Sequence, residues 1–375
     1  MSSTVKTDTD TDTGAASGTA GTAGAAAART GGPLRAVRTA GGLSVRLDVR
    51  TLLVTVLLAV VALAASVLLI GTGDFPMSPG DVLATLTGSG TTAQEFIVND
   101  LRLPRVLVGL LVGAAFGVAG AVFQAVSRNP LGSPDVLGFS QGSTVGALLI
   151  IVFFQGGAAA IAAGSVVGGV VTGLVIFLLA WKGGIHGYRF VLVGIGAAAM
   201  LYAIVLYLMT KANIVEASQA TTWMVGTLSG RDWSQVWPLA LVCAVLIPLA
   251  LVYGRPLRML EMGDDAAYAL GVPVQRVRMV LLVAAVVLVA ASTAAAGPIA
   301  FLALTAPQLA RRLTRAPGPN LLPAALMGAA LLVSADWISQ QLFGADQLPV
   351  GVLTGVLGGC YLLWLLASER KAGRI

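Results

Sequence analysis

The sequence is poor in charged residues. Only 11% of its 375 residues are Asp, Glu, Lys or Arg, whereas 57% are hydrophobic and the mean hydropathy is +0.88. A typical soluble domain carries about 25% charged residues. The composition therefore excludes an ordinary water-soluble domain and indicates a polytopic membrane protein.

The residue types of common metal and nucleotide sites are also scarce. His186 is the only histidine, and the two cysteines, Cys243 and Cys360, lie far apart in apolar segments. They give neither a disulfide framework nor the spacing of a metal site. None of the four lysines follows a glycine, as a Walker A phosphate loop requires. We therefore predict no bound cofactor, no metal site and no ATP hydrolysis by this chain.

One short motif resembles that of an enzyme. Gly138, Ser140 and Gly142 match the G-x-S-x-G pattern of a serine hydrolase. That motif needs a strand-to-helix turn and a histidine base, whereas this segment opens an apolar helix. We therefore predict that the chain has no catalytic residue and is not an enzyme.

Long apolar runs dominate the rest of the chain. They show no alternation between apolar and polar residues, so they favour membrane-spanning helices over barrel strands. The sequence predicts an all-α membrane protein with a bundle of about ten transmembrane helices, two of them short. The ten runs are 52–70, 106–123, 145–154, 158–180, 191–209, 236–253, 279–296, 299–310, 321–338 and 348–366.

Basic residues predict the orientation of these helices. With both termini in the cytoplasm, only Arg102, Arg105, Lys211 and Arg231 lie outside, and 19 of the 23 basic residues stay inside. The net charge of +6 is thus a topology signal and does not require nucleic-acid binding. We predict a multi-pass protein of the cytoplasmic (inner) cell membrane, surrounded by lipid.

The chain ends differ from the apolar region in composition. Residues 1–45 contain few large apolar side chains, so we predict a disordered cytoplasmic tail. Residues 50–368 form the predicted membrane domain, and 369–375 form a cytoplasmic C-terminal tail.

Several polar residues and glycines lie within the predicted spans. Asp336 is the only carboxylate well inside one, and two interpretations stay open: a proton-coupling site, or a carboxylate hydrogen-bonded near a helix end. The second is favoured, since no basic residue accompanies it in a span.

Interhelical hydrogen bonds are expected from Gln124, Gln141, Gln308 and Ser334. Close helix packing is expected at Gly109, Gly113 and Gly117, and at the pairs 164/168, 169/173 and 351/355.

A charged inner loop, 255–278, interrupts the apolar pattern. It contains a predicted helix from Met259 to Leu270, which Gly271 and Pro273 end. Its acidic residues would be repelled by an anionic membrane surface, which favours contact with a protein. A membrane bundle with no ATPase motif and a protruding cytoplasmic helix suggests a permease driven by a separate ATPase.

Five motifs that follow one another along the chain resemble those of one known family. From about residue 50 to 368 the chain is similar to the permease subunit of ABC importers for iron-siderophores, haem and cobalamin. The matching motifs are Arg102-Leu103-Pro104-Arg105, Asn129-Pro130-Leu131-Gly132-Ser133-Pro134, the loop from Gly263 to Gly271, Ala296-Gly297-Pro298-Ile299-Ala300-Phe301 and Leu348-Pro349-Val350-Gly351-Val352.

The resemblance implies a type II ABC importer permease fold and several partners. These are a second permease subunit, an ABC ATPase dimer that binds ATP-Mg, and a siderophore-binding lipoprotein or periplasmic protein. Arg102 and Arg105 would dock the binding protein, and Asn129, Leu131, Gly187 and Tyr188 would form the cytoplasmic gate, with His186 beside it. The residues that would couple to the ATPase are Met259, Leu260, Glu261, Met262, Gly263, Asp264, Asp265, Ala266, Leu270 and Gly271.

Two departures from the family pattern narrow the expectation. Gln308 follows Pro307 where cobalamin-type members have a histidine, which is similar to catecholate-siderophore permeases and favours a ferric siderophore as substrate. Gln340 stands where a third docking arginine is often found, which favours a heterodimer over a homodimer. The alternatives are a cobalamin or haem importer permease, or an ion-coupled secondary transporter.

Overall fold

The computed structural model describes residues 34–38, 44–73, 75–182, 184, 187–342 and 348–371, and the fold is a helical bundle. Two π-helical stretches, Phe96–Arg102 and Ile150–Phe154, directly follow the α-helices Thr92–Glu95 and Phe139–Leu149. The helices are α1 (Val49–Gly71), α2 (Pro79–Leu86), α3 (Thr92–Glu95), α4 (Leu103–Ser127), α5 (Phe139–Leu149), α6 (Ala158–Ala180), α7 (Gly187–Lys211), α8 (Ile214–Met224), α9 (Trp233–Val252), α10 (Gly254–Glu261), α11 (Asp264–Ala269), α12 (Val274–Ala296), α13 (Leu302–Thr314), α14 (Leu321–Leu342) and α15 (Val350–Lys371).

Each of the ten predicted apolar runs falls on a helix. Seven helical segments of the described chain are long and apolar enough to cross a membrane: α1, the continuous segment Thr92–Ser127, α6, α7, α9, α12 and α14. Phe139–Phe154 and Val350–Leu365 are shorter apolar helices, and α13 has only 13 residues. The prediction of an all-α membrane bundle is thereby confirmed.

The region before α1 differs from the expected disordered tail where it is described. Strands β1 (Leu34–Arg38) and β2 (Ser44–Asp48) pair antiparallel, with Val37 opposite Val45. Polar and apolar residues alternate in β2, a pattern that favours a strand and that the average composition of the tail concealed. Residues 1–33 and 39–43, His186 and residues 372–375 lie outside the described residues.

Helix α4 lies at the centre of the bundle and packs closely on α14. A Cβ atom added at Gly113 or Gly117 would lie less than 3.0 Å from backbone atoms of Gly328 or Ala324. The glycines of α5 and α6 meet in the same way. Small residues thus let the helix backbones approach each other, as the glycine spacing predicted. Gly355 is an exception, because a Cβ atom there would meet no atom within 4 Å.

Three non-helical connections meet at one end of the bundle. The segment 297–301 separates α12 from α13, residues 225–232 separate α8 from α9, and α15 begins just after Pro349. The Thr227 N–H donates to the Ala296 carbonyl at 2.8 Å, and the Gly351 N–H donates to the Gly226 carbonyl at 3.1 Å. These connections therefore satisfy part of one another's backbone hydrogen bonding.

Candidate functional site

The charged inner loop forms two short helices. We predicted one helix from Met259 to Leu270, and this was wrong, because α10 ends at Glu261 and α11 begins at Asp264. Gly263 has a φ of +117°, a conformation that interrupts an α-helix. The predicted end is confirmed: Gly271 has a φ of +78°, and its N–H donates to the Tyr268 carbonyl at 2.9 Å.

Two acidic residues of this loop bind arginines of the bundle. The Asp264 carboxylate pairs with Arg128, just after α4, and with Arg278 of α12 at 2.8 Å. Glu261 pairs with Arg311 of α13 at 2.9 Å. Burial raises the pKa of Glu261, whereas the positive charge of Arg311 lowers it. Three helices therefore hold α10 and α11 in place through ion pairs.

The loop also has an outward surface, which we call the coupling surface and define as Met262, Asp265, Tyr268 and Leu270. All four residues are exposed, Met262 to 70% and Leu270 to 59%. Leu260, by contrast, is buried in the main core and cannot contact a partner. Of the other residues predicted to couple, Met259, Gly263 and Ala266 are half-buried, and Gly271 is exposed.

At the opposite end of α4, Arg105 makes a bidentate ion pair with Asp336. Both nitrogen–oxygen distances are 2.8 Å, and Asp336 is only 1% exposed. Gln340 Nε2 lies 3.4 Å from the same carboxylate. The interpretation of Asp336 as a hydrogen-bonded carboxylate near a helix end is confirmed, since α14 ends at Leu342. The expectation that it lacks a basic partner was wrong.

Arg102 is engaged as well. Its guanidinium donates to the Ile70 carbonyl and, at 2.8 Å, to the Phe75 carbonyl. Arg102, Arg105 and Arg231 line one cleft of about 480 Å³, together with Asp100 and Asp232. Burial lowers the pKa of Arg231, and the neighbouring Asp232 charge opposes this. The structure thus brings both predicted docking arginines to one cleft but commits them to internal partners, so docking stays a prediction.

The predicted gate residues lie around the end of α4. Asn129 and Leu131 line a cavity of about 520 Å³, and the Asn129 side chain accepts a hydrogen bond from the Leu131 N–H at 2.9 Å. Gly187 lies against the backbone at Val126, where an added Cβ atom would be 3.1 Å from the carbonyl oxygen. Tyr188 is 83% exposed. A gating role of these residues stays a prediction.

Sequence reasoning missed one acidic residue, Asp135. It lines the cavity at Asn129 and also a second cavity, of about 250 Å³, beside Ser140 and Gly351. Ser140 donates to its carboxylate at 2.6 Å, and the Phe301 backbone bonds to it. Burial raises the pKa of Asp135 to about 6, against the lowering effect of these hydrogen bonds. The motif Asn129–Pro134 identifies this loop and ends one residue before Asp135.

Glutamine side chains connect the helices around these cavities. Gln124 of α4 donates to the Leu304 carbonyl at 3.0 Å. Gln308 of α13 donates to the Pro130 carbonyl and accepts a hydrogen bond from Tyr361 of α15 at 3.2 Å. The prediction of interhelical hydrogen bonds is confirmed for these two glutamines, and Gln308 joins three parts of the chain.

Within the described residues, no group of three or more His, Cys, Asp or Glu side chains could hold a metal ion. Ser140 lies in the first turn of α5, after a turn and not after a strand, so it is not at a nucleophile elbow. The features that the structure does assemble are a loop held by ion pairs, two cavities and an arginine-lined cleft.

Comparison with known proteins extends this description. Residues 50–368 match the model of the FecCD transport family. The chain is 46% identical over 323 residues to the ferric enterobactin transport system permease protein FepG of Escherichia coli (strain K12), covering 86% of this chain and 98% of that protein. It is 37% identical over 322 residues to the iron(3+)-hydroxamate import system permease protein FhuG of Bacillus subtilis (strain 168), covering 84% and 95%.

A solved structure shares the fold. The chain aligns with a putative metal-chelate type ABC transporter in an inward-facing conformation, with a TM-score of 0.73 and 24% identity over 84% of this chain and 99% of that one. The family match covers the complete helical bundle, including the α10–α11 loop and both cavities. This multi-pass membrane protein belongs to the FecCD transport family.

Proposed function

We propose that the chain is the transmembrane permease subunit of an ATP-driven importer for ferric siderophores. It would work by alternating access through a permease dimer that separate ATPase subunits drive. The substrate class rests on the two relatives, which are named for ferric enterobactin and iron(3+)-hydroxamate transport. Both are also named as permease proteins of a larger system, which supports the presence of partner subunits.

The observation that carries this proposal is the construction of the α10–α11 loop. Ion pairs from Asp264 and Glu261 fix it to α4, α12 and α13, while the coupling surface stays exposed. A rigid attachment is what a loop needs to pass a push from an ATPase to several membrane helices at once. The exposed Met262 and Leu270 supply apolar contact area, since interfaces favour Met and aromatic residues over charges.

The path for the substrate would run along the two cavities at Asp135. Phe301 and Leu131 border the larger cavity, and Ser140 and Gln141 border the smaller one. Asp135 lies between them and lines both. A movement of α10 and α11 would reach this region directly, because Arg128 holds Asp264 and lies beside Asn129.

The remaining partners follow from the two ends of the bundle. If both termini lie on the cytoplasmic side of the inner membrane, the cleft at Arg102 and Arg105 opens on the outer side. It would there face a binding lipoprotein or periplasmic protein. Charge pairing there would set the register of docking and speed encounter. Gln340 contacts Asp336 but carries no positive charge. This supports a heterodimer in which the second permease subunit supplies the missing positive charge for docking.

The proposal is tested by reconstituting the chain with its partner permease and ATPase and replacing Leu270 by Ser. Burying a leucine contributes about 1.5–3 kcal/mol, so ATPase association should weaken by about 10- to 100-fold, and chelate uptake should fall with it. The matched control is Leu83→Ser, at an exposed leucine of α2. Unchanged association in the Leu270 variant would refute the coupling assignment.

A second outcome would overturn the ATP-driven mechanism itself. Vesicles that contain only this chain should not accumulate a ferric chelate with or without nucleotide. Accumulation under an ion gradient alone would instead support an ion-coupled secondary transporter. Uptake of cobalamin or haem by the complete complex, without uptake of ferric siderophores, would correct the substrate class.

A further inference from the structure

An apolar groove lies between α6, α7 and α12, away from the cavities at Asp135. It has a volume of about 290 Å³. Gly173, Phe190, Leu282 and Val286 are its buried floor, and an added Cβ atom at Gly173 would lie 2.6 Å from Val286. Val170, Leu174 and Val283 form exposed edges. Every residue of the groove belongs to α6, α7 or α12, which are long and apolar enough to span a membrane, and lipid is the medium expected beside such helices.

Basic residues gather at one end of this groove. Lys182 follows the end of α6, Arg189 lies in the first turn of α7, and Arg276 lies in the first turn of α12. Arg276 precedes the groove residue Met279 by three positions, which is about 4.5 Å along a helix. Among the described residues, none of these three basic side chains has an ion pair.

Gly184, which follows α6, lies against the start of α12. A Cβ atom added at Gly184 would lie 2.6 Å from the side chain of Gln275, next to Arg276. The Lys182 N–H donates to the Gly184 carbonyl at 3.2 Å. These contacts bring Lys182 and Arg276 to the same end of the groove. The exposed Trp181 ring lies 5.3 Å from Phe177, as expected for an aromatic side chain at headgroup level.

We propose that this groove is a binding site for an anionic phospholipid. One acyl chain lies between α6 and α12 over Gly173, and the phosphate group lies against Lys182 and Arg276. An apolar groove and an unpaired basic cluster match the two parts of such a lipid, whereas a free phosphate would have no use for the groove. The acidic residues Glu261 and Asp264 are bound to arginines and do not compete for the cluster.

The test uses the purified full-length protein in its complex, exchanged into mixtures of phosphatidylglycerol and phosphatidylcholine with identical acyl chains. Native mass spectrometry then counts the lipids retained after delipidation. Each basic residue near a membrane surface contributes about fivefold to anion binding, so the wild type should prefer phosphatidylglycerol by about tenfold or more. The Lys182→Gln, Arg276→Gln double variant should lose this preference, and Lys211→Gln, at the other end of α7, should keep it.

Filling the groove tests the acyl-chain part separately. Val283→Trp should reduce retention of both lipids several-fold, whereas Val245→Trp, at a similarly exposed valine of α9, should not. Leu174→Trp is a second filling variant in case Val283→Trp fails to fold. The proposal is overturned if the wild type retains both lipids equally, if the double glutamine variant keeps the preference, or if the filling variants match Val245→Trp.

Discussion

The two ends of α4 use arginine–carboxylate pairs in different ways. At one end, Arg105 and Asp336 form a nearly buried bidentate pair inside the bundle, and Arg102 binds backbone carbonyls. At the other end, Asp264 and Glu261 are partly exposed, pair with arginines that include the buried Arg278, and hold a loop that exposes other side chains. Charged motif residues thus act as internal supports at both ends, and only the loop adds a separate contact surface.

The first prediction concerns the buried pair. Arg105→Ala leaves the Asp336 carboxylate without its main partner, so the free energy of unfolding should fall by about 3–5 kcal/mol. Thermal unfolding of the detergent-solubilised protein measures this change. Lys211→Ala, an exposed residue, is the control and should have little effect. If Arg105→Ala matched the control, the pair would not be a structural support, and Arg105 would be available for docking.

The second prediction separates anchoring from contact within the loop. Asp264→Ala removes an ion-pair partner of the buried Arg278, so it should destabilise the protein by about 1–3 kcal/mol. Asp265→Ala, at the exposed neighbour, should change stability by less than about 0.5 kcal/mol. Denaturant unfolding of both variants makes the comparison. Equal effects would show that the ion pairs do not fix the loop.

The third and smallest effect on stability is expected at Asp135, which lines both the cavity at Asn129 and the cavity at Gly351. Its pKa of about 6 lies above the ordinary carboxyl value, so the native state loses stability as pH rises from about 4 to 6 and does not regain it above 6. Asp135→Asn removes this ionisation and keeps an acceptor for Ser140. The variant should therefore gain stability relative to the wild type between pH 5 and pH 7.5.

Melting temperatures at the two pH values measure that difference, with Asp265→Asn as the control for a lost surface charge. A constant difference between Asp135→Asn and the wild type across this range would mean that Asp135 does not titrate there.

The sequence predicted the parts of the fold that depend on local pattern. The apolar runs located ten of the fifteen α-helices that the structure describes, the glycine spacing located the close contact of α4 with α14, and Gly271 located the end of α11. Each of these signals lies within a few residues of the feature that it predicts. The family resemblance added the boundaries of the loop and of the motif Asn129–Pro134.

The side-chain partners could not be predicted in this way. Arg105 and Asp336 are 231 positions apart, and Arg128 and Asp264 are 136 apart, so only the packed bundle brings them together. The break at Gly263 depends on a positive φ that composition does not specify. Asp135 was missed because its hydrogen bonds with Ser140 and with the Phe301 backbone form only in the folded chain.

The length of α13 has a consequence for the interior of the membrane. Its 13 residues span about 20 Å, less than the roughly 30 Å of hydrocarbon, so α13 is too short to cross the bilayer and the backbone of 297–301 is expected at membrane depth. Unpaired peptide groups are tolerated at that depth only beside protein or water. Pro298 and Ala300 line the cavity of about 250 Å³ beside Asp135, so the non-helical segment before α13 borders the interior of the bundle, which is where such a backbone can be tolerated.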